Sequence, residues 1–307
     1  MSKITNIKVG FLASYDYEYL KTALPFIYDE ADSIAIAIDK DRRTWSGNTF
    51  YIDLSFFDWL AKFDVSNKIR IYEDQFFNAN HSPMECETIE RNKLAIFLGE
   101  GGWHVQLDSD EFCLDFEKLT LRLKQIDVKP ETHYQVYGHF ISLFKKNEHG
   151  YFVINGFEKF AIATNTPNYV NARNCNHDNI IEIPCRVIHQ SWARPYDEIV
   201  EKTHNWGHKN DFDVEAFIKL WAFIDEANYK YIRDFHPISP RQWSSMCFIK
   251  NPDIDSLINK IDGEFILNNR VLSYSRNPTF LIRLKRFTIR KFRSLIEALH
   301  LRLSQNI

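Results

Sequence analysis

Two aspartates separated by one residue, Asp108 and Asp110, carry the clearest chemistry in this sequence. They follow an apolar run that begins at Trp103, and Glu111 adds a third acid directly after them. Residues two apart on an extended chain share a face, so both carboxylates can point the same way from the end of a strand. Such carboxylates repel each other unless a cation lies between them or one binds a proton. A hard divalent ion, Mn²⁺ or Mg²⁺, suits this pair and leaves positions for phosphate oxygens.

A plainer interpretation of the same residues is a solvated acidic turn after a strand. A single D-x-D is common in proteins, so the motif gains weight only from the elements around it. The sequence on either side of the acidic pair therefore has to show that a binding site is expected at this place.

The first hundred residues alternate between short apolar runs and segments in which apolar residues recur every three or four positions. Apolar runs of this length are typical of buried parallel strands, and the recurring pattern is typical of helices. The alternation predicts an α/β fold, with a mostly parallel mixed sheet flanked by helices. The predicted strands are 7–12, 34–38 and 69–72, and the predicted helices are 19–27, 56–63 and 90–98.

Polar residues follow three of these strands. Ser14 and Asp16 come after the first strand, Asp39 ends the second, and the acidic pair ends the strand at 103–107. Ligands of such sheets bind at the carboxyl ends of the strands, so a site is predicted at this edge. The turn ASYDYEY has no glycine and no G-x-x-x-x-G-K occurs, so a metal and basic side chains would have to meet phosphate charge.

The order of Asp39, a helix with the pair Arg91 and Asn92, and then LDSDEF resembles the nucleotide-sugar half of GT-A (Rossmann-like) glycosyltransferases, close to the family-2-like group. The resemblance implies that Asp39 contacts the base or ribose and that the Arg-Asn pair belongs to the donor site. It also implies that Asp108 and Asp110 hold Mn²⁺ or Mg²⁺ against the diphosphate, with Asp110 at the reacting centre. The metal would neutralise the departing diphosphate as a Lewis acid.

Two of these residues also have structural interpretations. Asp39 precedes the polar loop DKDRR and is a candidate cap for that turn. Arg91 lies one helical turn from Glu87 and next to Glu90, and either acid is a candidate ion-pair partner.

A second block, RVIHQSWAR at 186–194, supports the same resemblance. It implies that His189, at the end of a short strand, is a further metal ligand, although a histidine packed at a strand end is the alternative. Trp192 is a candidate to stack on the sugar, or else a core residue. Lys202 and His208, on or after a helix at 196–207, are candidate diphosphate contacts or solvated surface residues.

An inverting transferase also needs a general base to take the proton of the acceptor hydroxyl. The Glu-Asp pair that often supplies it in family-2 enzymes does not occur in the expected region. Glu158, between two strand-like segments, is the candidate base, and a surface turn is its alternative. The stereochemical outcome is left open.

Composition excludes some classes. The net charge of -3 over 307 residues does not favour nucleic acid, and five cysteines without C-x-x-C spacing indicate a reducing compartment and no cysteine zinc site. We expect no signal peptide and no membrane span, hence a cytoplasmic protein.

The sequence predicts an amphipathic helix at residues 280–303, and its stretch 283–293 has six basic residues and no acid. It would bind the anionic inner face of a membrane or pack on the protein.

These patterns predict a glycosyltransferase domain at 1–250, with a nucleotide-sugar half at 1–115 and an acceptor half at 116–250, and a helical extension at 251–307. The expected activity is metal-dependent transfer of a sugar, such as a hexose, from a nucleotide-diphosphate donor to a glycan or lipid-linked glycan in cell-surface polysaccharide synthesis. A sugar nucleotidyltransferase and a non-catalytic carbohydrate- or membrane-binding module are the alternatives. Donor and acceptor specificity is expected in loops at 41–50 and 140–180.

Overall fold

The structure is a computed structural model that describes residues 5–129, 131–251, 253–258 and 260–261. Nearly all described residues belong to one compact unit, Met1–Asn259. The predicted basic helix at 280–303 lies outside the described residues, and the predicted domain boundary at 250 stays a prediction. None of the helices in the described ranges has the length and apolar character that crossing a membrane requires.

The predicted parallel sheet is present. Four strands lie in the spatial order β4-β1-β2-β3, and each pairs in parallel with its neighbour. Strands β1, β2 and β4 are buried almost throughout, which explains why they read as continuous apolar runs. The bounds are Ile7–Leu12 for β1, Ser33–Asp39 for β2, Ile69–Asp74 for β3 and Trp103–Asp108 for β4.

Beyond β4 the sheet becomes antiparallel and continues in the order β8-β6-β7-β10. Strand β9 pairs in parallel with β6, and the short β5 pairs antiparallel with β9. Of the region 140–180, in which specificity loops were predicted, residues 148–149, 155–157 and 165–178 lie in turns and loops, and the apolar residues before 165 form buried strands. The strand predicted at 186–188 is the end of a longer one. The bounds are Glu111–Cys113 for β5, Tyr134–Asn147 for β6, Gly150–Ile154 for β7, Glu158–Thr164 for β8, Asn179–His189 for β9 and Met246–Ile249 for β10.

Helices cover the sheet, and one of them corrects a prediction. Helix α3 begins at Pro83 and not at Glu90, because Ser82 and Glu85 form a capping box with proline at the first turn. The predicted helix at 19–27 is a short α-helix between two 3-10 turns, and α4 was not predicted. The bounds are Leu20–Ala23 for α1, Leu54–Phe63 for α2, Pro83–Leu98 for α3, Phe116–Gln125 for α4, Tyr196–Asn205 for α5 and Val214–Phe223 for α6.

Strand register brings the polar strand ends to one edge of the sheet. Leu12 pairs with Asp108, so the turn after β1 lies beside the acidic pair. Strand β8 runs antiparallel to β4, so its first residue, Glu158, lies toward this same edge. His189 at the end of β9 pairs with Glu111 of β5. The site described below is assembled from these ends.

The buried imidazole of His104 in β4 predicts acid sensitivity. His104 is fully buried, and burial lowers its pKa from the usual 6.5 to about 4. Between pH 6.5 and pH 4 the unfolded chain binds a proton at this histidine and the folded protein does not. The free energy of unfolding therefore has its full value above pH 6.5 and falls as the pH drops toward 4. We expect the urea-derived free energy of unfolding of His104→Leu to fall less over this pH window than that of the wild type, by about 2 kcal/mol.

The matched control is His81→Leu, which replaces an exposed histidine and should keep the wild-type pH slope. Equal slopes for the two variants would contradict a role for the buried imidazole.

Candidate functional site

A cleft of about 310 Å³ lies at the edge where the strand ends converge. Of the residues predicted from the sequence to act in the site, all but Arg91 and Asn92 line it. Residues of the 43–50 segment, of helices α3 and α5, and of the loop at 165–178 complete the wall. The predicted residues in the lining are Ser14, Asp16, Asp39, Asp108, Asp110, Glu158, His189, Trp192, Lys202 and His208.

Asp108 is held between two arginines. Its Oδ1 accepts a hydrogen bond from Nη2 of Arg91 at 2.7 Å, and its Oδ2 accepts one from Nη2 of Arg173 at 2.7 Å. Arg91 is fully buried and also pairs with Glu87 at 2.9 Å, so it orients Asp108 from beneath the cleft. Burial alone would raise the pKa of Asp108, but the two guanidinium groups hold that pKa below its usual value.

Asp110 has its own pair of cations. Its Oδ2 accepts a hydrogen bond from Nζ of Lys202 at 3.0 Å and another from Nη2 of Arg194. Arg194 also contacts Oδ2 of Asp16 at 3.1 Å, and Asp16 in turn accepts a hydrogen bond from Oγ of Ser14 at 3.4 Å. Burial would raise the pKa of Asp110, but Lys202 and Arg194 hold that pKa well below its usual range. The turn after β1 and helix α5 are thereby joined at the second acid.

Glu111 joins the first of these pairs. Its two carboxylate oxygens accept hydrogen bonds from Nη1 and Nη2 of Arg173, both at 2.8 Å, and Oε2 also accepts the backbone N–H of Asp108 at 3.1 Å. Burial raises the pKa of Glu111 above its usual value, although Arg173 acts to lower it. Two parallel hydrogen bonds to a guanidinium are the geometry of an ionised carboxylate, and we assign Glu111 that state.

The predicted metal ligands are close together but already paired. Nε2 of His189 lies 3.7 Å from Oδ2 of Asp110, and burial lowers the pKa of His189 to about 4, so the imidazole is neutral at pH 7. Both oxygens of Asp108 are bound by arginines, however. Within the described part of the chain, no three histidine, cysteine or acidic side chains converge as metal ligands. As arranged, these residues do not fit a divalent ion, and Mn²⁺ or Mg²⁺ stays a prediction.

Asp39 makes the contacts expected of the capping alternative. Its Oδ1 accepts the backbone N–H groups of Asp41 and Arg43, and its Oδ2 accepts those of Phe76 and Phe77, at 2.8–3.2 Å. These four bonds fix the two loops that form the β2 side of the cleft. A contact of Asp39 with a nucleotide base or ribose stays a prediction.

Asn92 lies behind the cleft wall. It donates a hydrogen bond to the carbonyl of Tyr169 at 2.8 Å and accepts one from the N–H of the same residue at 2.9 Å. One turn earlier in α3, Oγ1 of Thr88 accepts the N–H of Ala172 at 2.9 Å. Helix α3 thus anchors the loop that carries Arg173, and Asn92 acts on the site through this loop.

The other end of the cleft is aromatic and contains Glu158. Its carboxylate accepts hydrogen bonds from the Gln242 amide and from Nε1 of Trp243, and burial raises its pKa. The rings of Phe140 and Phe160 stack beside it, with centroids 3.6 Å apart. Planar apolar rings with a carboxylate suit a sugar, which has an apolar face and polar hydroxyls.

Two remaining predicted residues border the cleft with other contacts. Trp192 is 2% exposed and packs in an apolar cluster with Phe217 and Trp221, which is its core alternative. Nδ1 of His208 lies 2.6 Å from Oδ2 of Asp211. Their predicted contacts with sugar and diphosphate stay predictions.

Sequence reasoning missed Arg173 and Arg194 as members of the site. Arg194 stands in the RVIHQSWAR block, where its position after Trp192 could have drawn attention. Arg173 lies in the loop sequence NARNCN, which has no motif, and its partners Asp108 and Glu111 are more than sixty residues away in sequence. Only the folded chain brings them together.

Comparisons with known proteins found matches among solved structures. No family model matches the chain, and no curated protein matches it in sequence. The matched solved structures include Staphylococcus aureus TarS 1-349, at 13% identity over 46% of this chain and 36% of that one, with a TM-score of 0.28. A second TarS structure matches at 10% identity over 47% and 22% of the two chains, with a TM-score of 0.28.

A third match is the mannose-1-phosphate geranyltransferase from Thermus thermophilus, at 10% identity over 72% of this chain and 66% of that one, with a TM-score of 0.29. The chain spans little more than a third of one TarS structure and less than a quarter of the other. Matches at these TM-scores carry no weight for the function, which depends on the geometry of the cleft.

The pairing of Asp110 predicts strong coupling with Lys202. In Asp110→Asn the buried side chains of Arg194 and Lys202, 0% and 9% exposed, both lose an ionised partner, and Arg194 keeps Asp16. We expect the free energy of unfolding in urea to fall by about 3–5 kcal/mol. Replacing the cation as well, in Asp110→Asn/Lys202→Met, should recover about 1–3 kcal/mol of this loss.

The control for this cycle is Asp58→Asn at an exposed position, which should change stability by less than about 0.5 kcal/mol. Additive effects of the two cleft substitutions would show that the ion pair does not contribute.

Proposed function

We propose that this protein is a glycosyltransferase that binds a nucleotide diphospho-sugar in the cleft and transfers the sugar to a hydroxyl of a glycan or glycolipid. One observation carries the proposal: at the carboxyl edge of the sheet, acids orient two cationic side chains. Asp108 and Glu111 pair with Arg173, and Asp110 pairs with Lys202. Arg173 and Lys202 line the cleft itself. A nucleotide diphosphate is an anion of the kind that such groups bind.

The order of the strands indicates which part of the donor binds in which part of the cleft. Strands β2, β1, β4 and β8 follow one another in the sheet, so Asp39 at the end of β2 and Glu158 at the start of β8 lie on opposite sides of the acidic pair. Trp45 and Phe50 line the β2 side, where Nε1 of Trp45 donates a hydrogen bond to Glu90 at 2.6 Å. We place the nucleoside there, the diphosphate at β4 and the acceptor at the aromatic end.

In the transfer step, Glu158 takes the proton of the acceptor hydroxyl as that oxygen attacks the anomeric carbon. The bond between this carbon and the diphosphate oxygen breaks, and the oxygen leaves with the electron pair. Lys202 and Arg173, already oriented by their acids, stabilise the charge on the departing diphosphate. With Glu158 as the base, the expected reaction inverts the configuration of the sugar.

A lipid-linked acceptor in cell-surface polysaccharide synthesis belongs to this proposal as a prediction from the sequence. The basic helix predicted at 280–303, which would favour such an acceptor if it binds a membrane, lies outside the described residues. Dependence on Mn²⁺ or Mg²⁺ is a separate prediction from the sequence, which the proposed function does not require and which measurements in EDTA and in Mn²⁺ test. Nucleotide binding is therefore the first property to measure.

We expect one of UDP, GDP, CDP and dTDP to raise the melting temperature, because a ligand that binds only the folded protein stabilises it. At a concentration of 100 Kd the gain is about 2.7 kcal/mol. The scan is run in EDTA and in Mn²⁺, with each nucleoside triphosphate as a further condition. Lys202→Met should lose the shift, because it removes a cation from the cleft.

The matched control is Lys219→Met, an exposed lysine outside the cleft that pairs with Glu215, and it should keep the shift. No shift with any nucleotide in either buffer would overturn the proposed function. A larger shift with a triphosphate than with any diphosphate would favour the nucleotidyltransferase.

The raised pKa of Glu158 predicts the acid limb of the rate profile. A base acts only when deprotonated, so kcat should fall as the pH drops below this pKa, which burial places above the usual value for glutamate. Glu158→Gln should lower kcat by about 10²–10⁴-fold, with the nucleotide affinity unchanged. The control is Glu215→Gln at an exposed position, and a wild-type kcat in Glu158→Gln would exclude this residue as the base.

A further inference from the structure

The guanidinium of Arg173 lies between two acids at the place where the sequence predicts a metal. It bridges Oδ2 of Asp108 at 2.7 Å and both oxygens of Glu111 at 2.8 Å. Its side chain is 13% exposed, and the residue lines the cleft. We propose that Arg173 takes the role of the divalent cation at the D-x-D acids, so that the donor diphosphate binds without a metal ion. This inference rests on the proposed function.

The first acid has no oxygen left for a metal. Arg91 occupies Oδ1 of Asp108 from the buried side, and Arg173 occupies Oδ2 from the cleft side. A divalent ion at Asp108 would have to displace a guanidinium that is mostly buried. The guanidinium would lose its charge-assisted hydrogen bond to Oδ2 of Asp108, and weakening the pairing of a buried charge is costly.

The second acid is also paired with two cations, which share one of its oxygens. Asp110 Oδ2 is shared by Arg194 and Lys202, both buried. The two acids therefore hold four cations between them, counting Arg91. In this arrangement the carboxylates serve to orient fixed positive charge toward the cleft, which is what a metal would otherwise supply.

Arg173 is held on several sides, as a binding group must be. The face of its guanidinium lies 5.4 Å from the ring centroid of Phe160 and 6.0 Å from that of Phe140. The loop on its N-terminal side is anchored to α3 through Asn92 and Tyr169. On its C-terminal side the N–H of Cys175 donates to the side chain of buried Gln135 at 2.9 Å. A planar guanidinium fixed in this way can present its remaining N–H edge to phosphate oxygens.

The test compares nucleotide binding by calorimetry in EDTA and in Mn²⁺, using the full chain and the four nucleoside diphosphates. We expect the wild type to bind the effective nucleotide with the same Kd in both buffers. Arg173→Ala should weaken that Kd by about tenfold or more in EDTA, because charge-assisted hydrogen bonds are lost. Mn²⁺ should restore part of the affinity of this variant, because the substitution frees Oδ2 of Asp108 and Oε1 of Glu111.

Two further variants keep the test decisive. Arg186→Ala removes an arginine that is similarly buried and pairs with Asp115 outside the cleft, and it should bind the nucleotide like the wild type. If Arg173→Ala fails to fold, Arg173→Lys keeps the charge but loses the bridge, and weaker binding in EDTA is the expected result.

A parallel measurement uses Mn²⁺ alone, followed by the electron paramagnetic resonance of the free ion. We expect binding in Arg173→Ala and none in the wild type at the same concentration. Equal Mn²⁺ binding by both proteins, or nucleotide binding by the wild type only with Mn²⁺, overturns the inference and leaves the proposed function standing. Absence of nucleotide binding in both buffers overturns the proposed function, and the inference with it.

Discussion

The structure depends on the pairing of carboxylates buried at the ends of β4 and β5. Asp110 and Glu111 are 2% and 1% exposed, and a charge removed from water at such a place is tolerated only with an opposite charge and hydrogen bonds. The cations that satisfy them come from the loop before β9 and from the segment that follows it. Asp110 and Glu111 can therefore be buried only if the segments that carry Arg173, Arg194 and Lys202 pack against this edge of the sheet.

The apolar core around Trp192 supports this pairing. The indole N–H of Trp221 donates to the carbonyls of Phe144 and Trp192 at 2.9 and 3.0 Å, which ties the chain after β9 to β6 and α6. Ser191 has a φ of 41°, so the backbone turns sharply between His189 and Arg194. Arg194 is thereby directed back toward Asp110. Packing in the second half of the domain thus positions the cations that serve the first half.

The same network gives the cleft a fixed electrostatic character. Groups that are already oriented by buried partners need little rearrangement when an anion arrives, and such preorganised charge is effective in transfer reactions. The aromatic end, with Glu158 held by Gln242 and Trp243, is different in kind: it has one carboxylate with a raised pKa among planar rings. One cleft therefore has a part in which carboxylates and cations are paired and a part in which a single carboxylate lies among aromatic rings.

The sequence by itself determined the parallel strands β1 to β3, the end of α3, and the edge at which the site would lie. These features depend on local patterns: short apolar runs, helical periodicity, and polar residues directly after strands. It did not reveal the start of α3, the long strand β6, or Arg173 and Arg194. Only the tertiary structure decided that Asp39 accepts four backbone N–H groups and that Asp108 and Asp110 are each held by two cations. The reason is physical, since ion pairs between residues sixty to ninety positions apart leave no periodic trace in the sequence and follow from how the strands and helices pack.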